Sequence, residues 1–99
     1  MSLEGKIAIV TGAGKGIGRD AALAIAAEGA TVVAVARTQA DLDETVHMIE
    51  EKGGKAISLS RDLTVADQVQ SMADAVVEQF GRIDILVNNA GGYPSEIYD

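Results

Sequence analysis

The stretch Thr11-Gly12-Ala13-Gly14-Lys15-Gly16-Ile17-Gly18 leaves this chain few choices. The apolar run Ile7-Ala8-Ile9-Val10 enters it, and an alanine-rich segment leaves it from about Gly18. That order predicts a strand, a tight glycine turn and the first turn of a helix. Glycine lets the backbone turn through positive φ and lets a ligand approach without meeting a Cβ. The first N–H groups of a helix have no intrahelical partners, and the helix dipole adds partial positive charge there. A turn so built is an anion site, and phosphate or pyrophosphate is the anion it suits.

Spacing narrows the class. Lys15 is followed by Gly16, so the metal-binding hydroxyl of a Gly-x-x-x-x-Gly-Lys-Ser/Thr loop is missing. A Gly-x-Gly-x-x-Gly pattern starting at Gly12 fails, because Ile17 stands at its third glycine. The pattern that fits is Gly-x-x-x-Gly-x-Gly on Gly12, Gly16 and Gly18, preceded by Thr11.

Downstream, apolar runs alternate with helical patterns, the rhythm of βαβ units around a parallel sheet. Strands are expected at Lys6–Thr11, Thr31–Ala36, Lys55–Ser60 and Ile83–Val87, the third of them at a sheet edge. The first helix carries Ala21–Ala27 and ends at Gly29. Thr38-x-x-Asp41 reads as a capping pair opening the second, with an apolar stripe of Leu42, Val46 and Ile49 and a stop at Gly53-Gly54. Thr64-x-x-Asp67 opens the third, whose stripe is Val65, Val69, Met72, Val76 and Phe80, and Gly81 ends it. His47, the sole histidine, faces away from its helix's stripe and reads as solvated.

The fold class is therefore α/β, a Rossmann-type doubly wound parallel sheet with helices on both faces. Right-handed crossovers and the usual order for such a fold place its four strands as 3-2-1-4. That order reverses between the first and fourth strands, and ligands sit beyond the carboxyl ends of strands at such a switch point. The glycine turn follows the first strand and Asn88-Asn89-Ala90-Gly91 follows the fourth, so both border one crevice.

A net charge of −7 argues against nucleic acid or an anionic membrane as partner. No apolar run approaches the roughly 18 residues of a membrane span. Met1–Lys6 passes straight into strand pattern without a signal peptide, and the absence of cysteine suits a reducing, cytoplasmic setting. Any anionic ligand must be held by local groups against the global field.

Near the end of the second strand, where a carboxylate would accept from a ribose 2′-hydroxyl, stand Ala36, Arg37 and Thr38. Lys15 lies in the glycine turn. Two cations with no acid between them suit a 2′-phosphate; the alternative is that Arg37 and Lys15 are solvated surface charges.

Thr11-Gly-x-x-x-Gly-x-Gly together with Asn88-Asn89-Ala90-Gly91 resembles the short-chain dehydrogenase/reductase family over its cofactor-binding half. The resemblance implies an oxidoreductase that transfers hydride between nicotinamide and a carbonyl or alcohol. It implies that Gly12, Gly14, Lys15, Gly16, Ile17 and Gly18 cradle the pyrophosphate, with the Ile17 N–H among the donors. The Lys15, Arg37 and Thr38 pattern is similar to that of NADP(H)-preferring members, so NADP(H) is expected over NAD(H). By the same resemblance Asp62 contacts the adenine amino group with the neighbouring backbone, at Leu63, beside the ring, while Asn89, Ala90 and Gly91 approach the ribose and nicotinamide; for Asp62 the alternatives are a solvated acid or a partner of Arg61. Homo-oligomers are common in the family.

The family's Ser and Tyr-x-x-x-Lys have no counterpart here. Tyr93 is followed four residues later by Ile97, and no lysine occurs after Lys55. No catalytic residue is carried over, and these 99 residues alone are expected to be inactive. The fourth strand reads as a central strand left at an edge, which predicts either a longer reductase or pairing with another copy. Two readings without chemistry stay open: a nucleotide-binding or regulatory module, and a scaffold that binds partners through the fourth strand.

Overall fold

Every residue of Ile7–Thr11 is buried, because this strand, β1, runs through a sheet covered on both faces and needs no polar side. The computed structural model describes residues 2–89 and 96–98. After β1 come α1 (Gly16–Ala27), β2 (Thr31–Ala36), α2 (Gln39–Glu51), β3 (Lys55–Ser60), α3 (Ala66–Phe80), β4 (Ile85–Asn88) and β5 (Glu96–Tyr98). The sheet order is β3-β2-β1-β4-β5. The first four strands are parallel in the expected 3-2-1-4 arrangement, registered as Ile7↔Thr31, Thr31↔Lys55 and Ala8↔Ile85.

Strand alternation divides the core. Val10, Val32 and Ala34 pack with Ala22 and Ala26 of α1 and with Leu42 and Ile49 of α2. Ile7, Ile9, Val33 and Val35 face the other way, against Met72 and Val76 of α3. The alanines of α1 bring its axis close to the sheet, which places its N-terminus near the end of β1. Glycines stop the helices through positive φ, Gly29 at 100°, Gly53 at 83° and Gly81 at 79°.

Several local expectations need correction. Thr38 is the N-cap of α2, but its side chain makes no capping hydrogen bond, and the carboxylate of Asp41, the other half of the expected box, lies 3.8 Å from Lys15 Nζ. Thr64 does not open α3, whose N-cap is Val65. Asp62 Oδ1 accepts from the Thr64 backbone N–H (3.0 Å) and hydroxyl (2.6 Å), so a tight Asx turn has already used the hydroxyl. On α2 the buried stripe is Leu42, Thr45 and Ile49, with Val46 only half-buried. On α3 only Met72 and Val76 are buried, while Val65 and Val69 stay exposed. A 3.6-residue period defines a helix face but not the presence of anything opposite it.

The fourth strand is not an edge. It pairs antiparallel with β5 through Leu86↔Tyr98, Val87↔Ile97 and Asn88↔Glu96, so its outer backbone groups have partners. Three residues are too few to show a period in the sequence.

Asp84 pins the amino ends of β1 and β4. Its Oδ2 accepts from Ile7 N–H (2.8 Å), its own N–H donates to Ile7 O (2.9 Å), and Arg82 Nη2 donates to its Oδ1 (2.7 Å). Arg82 first, and then the Ile7 amide, hold this carboxyl below its ordinary pKa. A carboxylate with a lowered folded-state pKa stabilises above the unfolded value, and that contribution fades as pH falls through the folded one. Asp84→Asn is therefore expected to melt at a lower temperature than the parent at neutral pH, with the gap narrowing below about pH 4. Circular-dichroism melts across that range check it; equal melting temperatures at pH 7 would contradict the assignment.

Candidate functional site

Because β1 to β4 are parallel and in register, their carboxyl ends form one rim, and the glycine turn lies at its centre. Thr11 closes β1, and its buried hydroxyl accepts from Asn89 N–H (2.7 Å) and reaches Asn88 Oδ1 (3.0 Å). A hydroxyl has one proton, and the nearer acceptor, Asn88 Oδ1, takes it in preference to Val87 O at 3.4 Å. One side chain thus stitches the ends of the two strands that flank the switch point.

The turn itself depends on glycine at chosen places. Gly12 and Gly16 have φ of 62° and 61°. A Cβ on Gly18 would stand 1.9 Å from Gly12 O and 3.0 Å from Asn89 Nδ2, so α1 approaches the turn as only glycine permits. At Gly14 an added Cβ would meet the Cβ atoms of Asp41 (3.0 Å) and Ala36 (3.5 Å). Lys15 is the extended N-cap of α1, and Arg19 N–H to Lys15 O is an early i→i−4 bond of the helix. The N–H groups ahead of Arg19 have no intrahelical acceptor, and no acid lies in that first turn. Ile17 is 78% exposed. A cradle that a Cβ would fill, under an uncompensated helix N-terminus, fits a pyrophosphate.

Two residues absent from the sequence reading hold the turn in shape. Thr45 is wholly buried and donates to Ala13 O (2.8 Å), while Ala13 N–H bonds Val35 O (3.1 Å). Arg19 bonds Thr45 Oγ1 through Nε (2.9 Å), and through Nη2 it bonds Gly14 O and Asp41 O (3.1 Å). The guanidinium clasps the glycine turn to the start of α2. The available signal was Thr45 itself, which completes an i, i+3, i+7 run with Leu42 and Ile49.

Beside the turn, the ends of β2 and β3 border an open cleft of about 340 Å³ lined by Arg37, Ser60, Arg61, Asp62 and Gln68. Arg37 and Thr38 are exposed, and the Ser60 hydroxyl secures Arg37 O (2.9 Å). The Thr64 hydroxyl, then its N–H, and Arg37 more weakly, hold the Asp62 carboxyl below its usual range. Leu63 is half-buried, packed toward the α3 side of the core. Arg61 bonds Ser71 Oγ (3.1 Å) and does not pair with Asp62 in this arrangement.

The structure therefore groups Gly12–Gly18 with Asn89 at the switch point and Arg37 with Asp62 at the cleft. Lys15 lies outside that cleft, 3.8 Å from Asp41 Oδ2. Ala90 and Gly91 fall outside the described residues. His47 is exposed beside Glu51, and among the described residues no cluster could hold a metal ion. No described helix is long and apolar enough to cross a membrane.

A doubly wound parallel sheet with a glycine turn at its switch point defines a nucleotide-fold protein of the α/β class. The profile of the short chain dehydrogenase family matches residues 6–98. The chain belongs to that family. It is 50% identical over 92 residues to an uncharacterised oxidoreductase of Methylorubrum extorquens, covering 92% of this chain and 37% of that protein. It is 45% identical over 91 residues to the short-chain dehydrogenase/reductase homolog YusS of Bacillus subtilis, covering 91% of this chain and 84% of YusS. A solved metagenomic short-chain oxidoreductase in complex with NADP superposes with a TM-score of 0.90 at 41% identity, over 93% of this chain and 42% of that one. The chain thus spans about two fifths of the first relative and most of the second.

Proposed function

We propose that residues 1–99 are the dinucleotide-binding portion of an NADP(H)-dependent oxidoreductase that passes hydride between nicotinamide and a carbonyl or alcohol. The observation that carries the reading is the glycine cradle at the switch point with Arg37 in the adjoining cleft and Ala36 where a ribose-binding acid would stand. The bound coenzyme supplies the hydride. The residues of this chain bind and orient it: Gly12, Gly14, Gly16, Ile17 and Gly18 take the pyrophosphate on backbone N–H groups. Arg37 and Lys15 face the 2′-phosphate beside Thr38, Asp62 and Leu63 meet the adenine, and Asn89, Ala90 and Gly91 approach the ribose and nicotinamide. The NADP complex of the structural relative supports the coenzyme class.

The acid/base Tyr-x-x-x-Lys and its Ser lie in a catalytic portion not among these residues, so this chain alone binds coenzyme and turns nothing over. A cytoplasmic homo-oligomer is the setting proposed for the whole enzyme, with no nucleic acid or membrane partner. A second reading, a nucleotide-binding module with no chemistry of its own, is favoured by YusS, 84% of which this chain covers.

Titration of both coenzymes by fluorescence or calorimetry tests the proposal. A charge-assisted contact to the 2′-phosphate contributes about 1.5–3 kcal/mol, so NADPH is expected to bind roughly 10- to 100-fold more tightly than NADH. Equal affinities would remove the NADP(H) assignment, and no binding of either would remove the cradle.

A further inference from the structure

The sequence places Lys15 and Arg37 around the proposed phosphate with no acid between them, but the fold brings one there. Asp41 is the third residue of α2, and its Cβ lies 3.0 Å from where a Gly14 Cβ would stand. Its Oδ2 reaches within 3.8 Å of Lys15 Nζ, and the same point on Gly14 lies 3.5 Å from Ala36 Cβ at the end of β2. The carboxylate therefore stands over the glycine turn, next to the strand end that carries Arg37.

The pair does little for the fold. Lys15 is 82% exposed and Asp41 35% exposed, and ion pairs this open to water contribute little to stability. The backbone carbonyl of Asp41, not its carboxylate, receives Arg19. What the carboxylate does is stand against Lys15, the cation carried by the glycine turn itself.

We infer that Asp41 is a specificity-determining residue that sets how strongly the site prefers a phosphorylated over an unphosphorylated ribose. It holds Lys15 in the nucleotide-free protein, and a 2′-phosphate has to draw the ammonium away from it. A dinucleotide with a free 2′-hydroxyl makes no such demand. Asp41 thus lowers affinity for NADPH selectively, and the preference created by Arg37 is smaller than two cations would give. This inference rests on the NADP(H) reading above.

Asp41→Asn keeps the side-chain shape and the carbonyl bonded by Arg19. It is expected to tighten NADPH by about 3- to 5-fold at low salt while moving NADH less than about twofold, with the gain shrinking as salt screens the charges. In a Lys15→Met background the same substitution is expected to leave NADPH affinity unchanged within about twofold, because the competition for Lys15 is gone. Parallel changes for both coenzymes, or an undiminished gain without Lys15, would overturn the inference. A parent protein that prefers NADPH, paired with an Asp41→Asn variant of unaltered NADPH/NADH ratio, overturns the role of Asp41 alone. A parent with no preference overturns the NADP(H) reading and this inference with it.

Discussion

Gly18→Ala is expected to weaken dinucleotide binding by about 100-fold or more and to lower the melting temperature, although alanine is the better helix former by about 1 kcal/mol. The reason is position. The added methyl would stand 1.9 Å from Gly12 O and 2.6 Å from Gly12 C, both backbone atoms of the turn. Neither can rotate aside, so α1 has to retreat from β1 or the turn has to open. Overpacking of this kind costs about 1–3 kcal/mol or more, against a total stability of about 5–15 kcal/mol for a domain of this size. Retreat also moves the helix N-terminus from the place where phosphate oxygens are expected. Gly53→Ala is the matched control: φ there is 83°, with nothing within 4 Å of the new atom. It carries a backbone strain of about 1–2 kcal/mol without touching the turn. Melts and NADPH titrations on both variants separate the effects. If Gly18→Ala bound NADPH like the parent, the glycine cradle would not be the coenzyme site.

Arg37→Asp is expected to shift the ratio of NADPH to NADH affinity by about 100-fold or more toward NADH. It removes a charge-assisted contact of about 1.5–3 kcal/mol and puts a like charge against the phosphate. The same carboxylate can accept from a free 2′-hydroxyl, so the loss for NADPH is accompanied by a gain for NADH. Arg37 lies exposed on its cleft, and salt will therefore compress the parent preference within a Debye length of about 10 Å at 0.1 M. Paired titrations at low and high salt read both effects. An unchanged ratio would mean that Arg37 is a solvated charge and nothing more.

The strands and their order were legible because their cause is local. An all-apolar segment such as Ile7-Ala8-Ile9-Val10 can only be covered on both faces, and right-handed crossovers together with the usual strand order of a doubly wound fold then give 3-2-1-4. The glycine spacing was legible for the same reason, since only glycine readily permits the positive φ found at Gly12 and Gly16. What stayed hidden requires knowing which atoms meet across the fold. The Thr11 hydroxyl finds Asn88 and Asn89, 77 and 78 residues later. Arg19 reaches Thr45 across 26 residues, and no periodic pattern encodes that meeting. Thr64 carries the chemistry of an N-cap, but Asp62 claims it first. Asp41 reads as half of a capping box until its neighbour across the turn, Lys15, is seen.

The clasp of Arg19 and Thr45 has a thermodynamic consequence. Glycine segments lose the most backbone freedom when immobilised, and here that freedom is lost as the chain folds, since Ala13 and Gly14 are already tied to Val35, Thr45 and Arg19. A dinucleotide docking there as proposed would meet a receptor whose shape precedes it. Association would then spare the entropy of ordering a loop.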